Sequence, residues 1–180
     1  EAGPFRRVRP PGTTVLVTGM GAANARRAVT LALDRCRPAG VFTCGFAGGL
    51  DPGLALGTVV YDLDSESAAP DAAATLPTLA AVGGRLRSAG AVPCRFFTSD
   101  RVAVTVAEKR DWRERTGAEA VDMESAIIRD LCRRRGIPSV TVRVISDAAG
   151  DALPLDFNTL LTPDCRLHPG RFALALARQP

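Results

Sequence analysis

A chain of 180 residues, 46% of them hydrophobic and without a long polar tract, has the length for one domain around a buried core and no more. Its net charge of +4 is carried almost wholly by arginine, Lys109 being the sole lysine; the arginines are scattered over helix faces and turns and aromatics are only 5%, which argues against a nucleic-acid binder. No apolar run reaches membrane-spanning length, the five cysteines include no C-x-x-C pair, and the lone His168 cannot seed a zinc cluster or a Ser-His-Asp triad, so a reduced, cytoplasmic protein without metal or cofactor is expected.

In chain order, residues 13–18 (Thr-Thr-Val-Leu-Val-Thr) predict a strand, Gly19-Met20-Gly21 its turn, and residues 22–36 a helix closed by Pro38 and Gly40. Residues 41–44 predict a short strand entering the glycine-rich segment Gly45-Phe46-Ala47-Gly48-Gly49, and residues 57–62 another after the Pro52-Gly53 turn. Residues 65–74 are small and polar and predict a surface loop; residues 79–89 predict a helix and residues 94–98 a strand. Ile127, Ile128, Leu131 and Cys132 recur at helical spacing with Arg129, Asp130 and Arg133 to Arg135 opposite, a helix that opens at Glu124 and is stopped by Gly136 and Pro138. The β-branched run 139–146 then predicts a buried strand that ends on Asp147 and the small loop Ala148-Ala149-Gly150. A closing helix over residues 169–178 is expected to pack Phe172, Leu174 and Leu176. The alternation of β and α elements predicts a single α/β domain over residues 1–180. No strand precedes Glu1-Ala2-Gly3-Pro4, so the first strand of such a domain is expected to be missing.

Gly19-Met20-Gly21 after a strand is half of a dinucleotide fingerprint, but the third glycine is absent, and Cys44-Gly45 stands where an acidic residue would end the second strand. A nicotinamide cofactor is therefore disfavoured against a tight strand-to-helix turn. The glycines of residues 45–49 serve either close backbone approach or positive φ. Glu124 at a helix start has a structural use beside the positive dipole end, and Asp147 has one as a loop cap or as the partner of Arg143. Both also stand where open α/β sheets build their sites, Asp147 at the carboxyl end of a core strand.

Taken in order, Thr18-Gly-Met-Gly-Ala-Ala-Asn-Ala25, Cys44-Gly-Phe-Ala-Gly-Gly-Leu-Asp-Pro-Gly53 with Leu56-Gly-Thr-Val-Val60, Thr98-Ser-Asp-Arg-Val102, Val121-Asp-Met-Glu-Ser-Ala126 and Val142-Arg-Val-Ile-Ser-Asp147 resemble the nucleoside phosphorylase and methylthioadenosine/S-adenosylhomocysteine nucleosidase superfamily over nearly the whole chain. Within it the chain is most similar to the hopanoid-associated phosphorylases, which share the Leu153-Pro-Leu-Asp-Phe157 segment and the Pro169-Gly-Arg171 helix start. The resemblance implies a twisted, mixed, mostly parallel sheet flanked by helices, a small-molecule nucleoside substrate, and a homo-oligomer. It also implies roles. Glu124 accepts hydrogen bonds from the ribose 2′- and 3′-hydroxyls, Met123 packs under the sugar, and Asp147, with Ser146 beside it, protonates purine N7. Phe46, Ala47, Val102 and Ala103 line the base pocket, Gly21 lies near the sugar and the nucleophile, and Glu1 matches the N-terminal glutamate that activates water.

Cleaving an N-ribosidic bond asks for such groups in any case, because it builds an oxocarbenium-like cation and the base leaves far better when protonated. Phosphorolytic relatives carry an arginine before the glycine segment where this chain has Phe42-Thr43-Cys44, which favours water over phosphate as the nucleophile, with phosphate left as a possible co-substrate. Phe46 also stands where hydrolytic relatives carry serine. The expected reaction is release of a free base from a purine nucleoside or adenosyl compound. The alternatives are phosphorolysis of an adenosyl-lipid and a nucleoside-binding module that has lost catalysis.

Overall fold

A computed structural model of the chain describes residues 2–8, 10–64, 79–162, 165 and 168–177. In chain order these form α1 (Ala2–Arg7), α2 (Ala22–Arg35), β1 (Val41–Gly49), β2 (Val59–Leu63), α3 (Leu79–Ser88), β3 (Val92–Pro93), β4 (Phe96–Thr98), α4 (Val106–Thr116), β5 (Ala120–Asp122), α5 (Ser125–Arg133), β6 (Ser139–Asp147), α6 (Phe157–Leu160) and α7 (Pro169–Ala177). The strands make one six-stranded sheet in the order β3-β2-β6-β1-β5-β4. It is mixed and mostly parallel as expected: β1 runs parallel to β6, β2 to β3 and β4 to β5, while β1–β5 and β2–β6 are antiparallel.

The two helices with clear periodic patterns pack together. Ala25 and Val29 of α2 meet Ile128, Leu131 and Cys132 of α5, with Ile137 closing the cluster ahead of β6. A second cluster joins Ala47, Val60 and Ile145 from three neighbouring strands with Ala120 and Cys94, and a third gathers Leu50, Ala103, Trp112, Ala118 and Val121 around α4. In that third cluster Phe97 meets Trp112 edge to face at 5.3 Å between ring centroids.

Three sequence expectations are corrected. Residues 13–18 are not a strand: a strand exists only where a partner completes its ladder, they take no place in the six-stranded order, and Leu16 and Val17 are left exposed. The strand expected over 41–44 does not stop there, and the glycine segment 45–49 is the second half of β1. Finally, α4 was not foreseen, although Thr105 and Glu108 form a full capping box at its start and Gly117, at φ 67°, caps its end. The Arg101 guanidinium and then the Thr105 N–H hold the Glu108 carboxyl down at about 2. Residues 65–74, expected as a loop, lie outside the described residues.

Candidate functional site

The glycines of β1 let side chains from β6 reach across it. Gly48 is level with Val121 of β5 on one side and with Asp147 of β6 on the other, so two strand spacings, roughly 10 Å, separate those two backbones. A Cβ on Gly48 would stand 3.2 Å from both Asp147 Oδ2 and Val121 Cγ1. The bare strand is thus what gives the Asp147 carboxylate its place. Close approach, not positive φ, is the use these glycines serve, since none of Gly45, Gly48 and Gly49 has a positive φ.

Asp147 does not pair with Arg143. Its Oδ2 lies 2.5 Å from the ammonium of Lys109, and its Oδ1 accepts a 2.6 Å hydrogen bond from the Ser146 hydroxyl, which also lies 3.2 Å from the Ala47 carbonyl oxygen. Arg143 instead crosses the bare Gly45 to donate from Nε and Nη2 to Asp122 Oδ2 at 3.1 and 2.7 Å, with Nη1 on the Thr43 carbonyl at 2.8 Å. The other oxygen of Asp122 accepts from the Thr98 and Ser125 hydroxyls at 2.9 and 2.8 Å. Because the Ser125 N–H also donates to Asp122, this buried network pins the first turn of α5, and Glu124 with it.

Glu124 is the N-cap residue of α5, yet its side chain makes no cap hydrogen bond. It turns instead to the other end of the sequence, where Oε1 accepts a 2.6 Å hydrogen bond from the N–H of Gly21. Gly21 has φ 88°, and a Cβ there would lie 2.8 Å from Cys165 Sγ, so the turn and the tight fit both require glycine. Burial pushes the Glu124 carboxyl above its ordinary value of 4.5 and the neighbouring Asp122 adds to this, against the pull of the Gly21 N–H and of Arg143. A cavity of about 630 Å³ opens beside α2, lined by Thr18, Gly19, Met20, Asn24 and Cys165 among others. It stops one residue short of Gly21 and reaches neither carboxylate.

The remaining expected site residues fall unevenly. Met123 is half-buried between Asp122 and Glu124, and Ser146 is beside Asp147 as anticipated. Ala47 and Ala103 are buried, but in two different clusters, while Phe46, on the opposite face of β1 from Ala47, is 54% exposed. Val102 is clamped by the side-chain amide of Asn158, which accepts its N–H at 2.9 Å and donates to its carbonyl at 3.0 Å. Glu1 lies outside the described residues. Sequence reasoning missed Lys109, the Asp122–Arg143 pair and Asn158. Only the capping-box spacing Thr105-x-x-Glu108, which makes a helix of the segment holding Lys109, was there to be read.

A family model described as "Phosphorylase superfamily" matches residues 9–61 and 81–176. The 5′-methylthioadenosine/S-adenosylhomocysteine nucleosidase of Chromohalobacter salexigens is 30% identical over 172 residues, covering 82% of this chain and 72% of the relative. Among solved structures, the nucleosidase of the same description from Campylobacter jejuni superposes with a TM-score of 0.63 at 17% identity, over 88% of this chain and 77% of the other. That from Colwellia psychrerythraea, solved in complex with adenine, gives 0.59 at 25% identity, over 74% and 64%. With a family match that spans most of the sequence, and a sheet order and carboxylate-bearing strand end carried by the same residues as the matching motifs, this chain belongs to the phosphorylase superfamily.

Proposed function

We propose that the protein cleaves the N-ribosidic bond of a purine nucleoside or adenosyl compound and releases the free base, with water as the nucleophile. The observation that carries this reading is the pair of carboxylates, each fixed by a partner from a distant part of the chain: Glu124 on the Gly21 N–H, Asp147 between Lys109 and Ser146. As the C1′–N9 bond lengthens, positive charge grows on the ribose, and a carboxylate at Glu124 both orients the 2′- and 3′-hydroxyls and opposes that charge. Asp147, protonated on Oδ1 in the substrate complex, gives that proton to N7 so that the base departs neutral, and is left as the carboxylate paired with the Lys109 ammonium. Met123 packs under the sugar, Val102 borders the base and Glu1 activates the water, while the buried Ala47 and Ala103, in separate clusters, and Phe46, on the opposite face of β1 from Ala47, do not line one pocket. The names of the matching relatives support methylthioadenosine and S-adenosylhomocysteine as substrates, and the adenine-bound neighbour supports adenine as the released base. We read the protein as cytoplasmic, in keeping with its five free cysteines, and, on the family resemblance alone, as a homo-oligomer.

Neither Arg101 nor Arg26 rebuilds a phosphate site. Arg101 is committed, ion-paired with Glu108 and lying 5.0 Å over the Trp112 ring, and Arg26 is exposed on α2. Hydrolysis is therefore expected to dominate: with adenosine or methylthioadenosine in added phosphate, chromatography should find the free sugar. Sugar 1-phosphate, formed at a rate that rises with phosphate, would overturn this. A finer placement in the hopanoid-associated branch is favoured by the segment 153–157, where Asp156 caps α6 by accepting from the Asn158 N–H and so sets up the clamp on Val102. Base release from an adenosyl-lipid in preference to methylthioadenosine is the result that would select it.

Glu124→Gln is expected to lower kcat/KM on ribosides about 10- to 100-fold, the size of a lost charge-assisted hydrogen bond, and to cost 2′-deoxyribosides much less. Equal losses on both sugars would assign Glu124 to structure. Because burial raises the Glu124 carboxyl above 4.5, the carboxylate needed for the sugar is lost as pH falls through a range lying above that value, and the acid limb of kcat/KM should stand there and be absent in the glutamine variant.

A further inference from the structure

Lys109 is the sole lysine of the chain, and it is 0% exposed. Helix α4 itself does not require a cation at that position: its capping box and αL terminus are complete without it, and Trp112 supplies the apolar anchor of the helix. The ammonium is nonetheless fully engaged, its three donors meeting the Ala148 carbonyl at 2.7 Å, the Asp151 carbonyl at 2.8 Å and Asp147 Oδ2 at 2.5 Å. The loop it grips is closed from the other side by Asp151, whose Oδ2 accepts the Ala148 N–H at 2.9 Å and whose N–H donates to the Ala148 carbonyl at 3.0 Å. The carboxylate of Asp147 thus has one oxygen tied to a rigid, buried donor. Its other oxygen is held by a single hydroxyl, that of Ser146, which has the Ala47 carbonyl as a second acceptor.

We propose that Lys109 is the positioning residue of Asp147: by holding Oδ2 and the loop 148–151 in one geometry, it leaves Oδ1 as the oxygen that meets the leaving base, with Ser146 able to shift its hydrogen bond to the Ala47 carbonyl when the base arrives. The inference rests on the reading of Asp147 as the group that serves the base. Ammonium and carboxylate act as a unit, so removing either forfeits the same alignment, and misplacing a reacting group by about 1 Å costs on the order of a hundredfold in rate. Binding of the sugar, assigned to Glu124, is a separate matter.

The test uses the fact that one lysine gives one signal. In protein labelled with 15N at the lysine side chain, the Lys109 ammonium should give a single resonance that moves on Asp147→Asn and moves again when adenine is added to the unaltered protein. In kinetics on methylthioadenosine, Lys109→Met should lower kcat about 10- to 100-fold with KM changed less than about threefold, and should add little to the loss already caused by Asp147→Asn. Should Lys109→Met fail to fold, the resonance still decides. A Lys109 signal indifferent to Asp147→Asn overturns the inference, as does one indifferent to adenine at concentrations that saturate the protein. Kinetic losses that multiply in full in the double variant overturn it too. If the unaltered protein releases no base from any nucleoside, the proposed activity fails on its own, and the two resonance shifts still settle whether Lys109 sets Asp147 toward a bound base.

Discussion

Asp147→Asn is expected to lower base release by about a hundredfold to ten-thousandfold while leaving the protein folded, since that is the usual contribution of a positioned general acid. The amide keeps the shape of the carboxyl group and its place beside the bare Gly48, but it has no acidic proton to give to N7. Retention of the fold follows from the surroundings. The Lys109 ammonium, though buried, keeps the carbonyls of Ala148 and Asp151 as acceptors and can add the amide oxygen of the new asparagine, so the charge left behind is not without partners. Rates taken at saturating substrate, beside circular dichroism at the assay temperature, separate the two effects. Turnover at the parental rate by a folded asparagine variant would remove Asp147 from the chemistry. A loss confined to KM would make it a binding group only.

What the sequence could show was whatever repeats locally. The apolar spacing from Ile127 to Cys132 and the β-branched run into Asp147 specify α5 and β6 without reference to the rest of the chain, because helical and strand periods are properties of a short window. The same is true of α2 and α7, expected within a residue or so of their observed ends. Residues 13–18 have the composition of a strand and are not one, because pairing is decided by which strands occupy the neighbouring edges and no window contains that information. Helix α4 was missed for the opposite reason. Its surface is nearly all charged, and only Lys109 and Trp112 are buried, so it has no apolar stripe to count. At the site, the two carboxylates were legible because each closes a motif. Their partners were not. Lys109 reaches Asp147 from another helix, and Arg143 reaches Asp122 only because Gly45 lies level with it in the intervening strand, a coincidence of register that emerges once the sheet is assembled.

That pair of crossing side chains carries the largest expected effect on stability. The side chains of Arg143 and Asp122 are 3% and 0% exposed, and Arg143→Met should lower the free energy of unfolding by about 3–5 kcal/mol, because it strips the cation from a carboxylate that has no access to water. Such a loss is a large part of the roughly 5–15 kcal/mol that holds an ordinary domain together. Asp122→Asn in the same chain should restore part of it: the amide needs no counter-charge, and its carbonyl can still accept from the Thr98 and Ser125 hydroxyls. The double variant is therefore expected to unfold at a higher urea concentration than Arg143→Met alone, with an unchanged slope. Function should follow stability here. Asp122 fixes the Ser125 N–H at the start of α5, directly after Glu124, so loosening it frees the carboxylate assigned to the ribose, and KM for nucleosides should rise in the folded fraction of Arg143→Met more than kcat falls. Equal urea midpoints for the single and double variants would show that the cost lies in lost packing of the arginine stem across Gly45 rather than in an uncompensated charge.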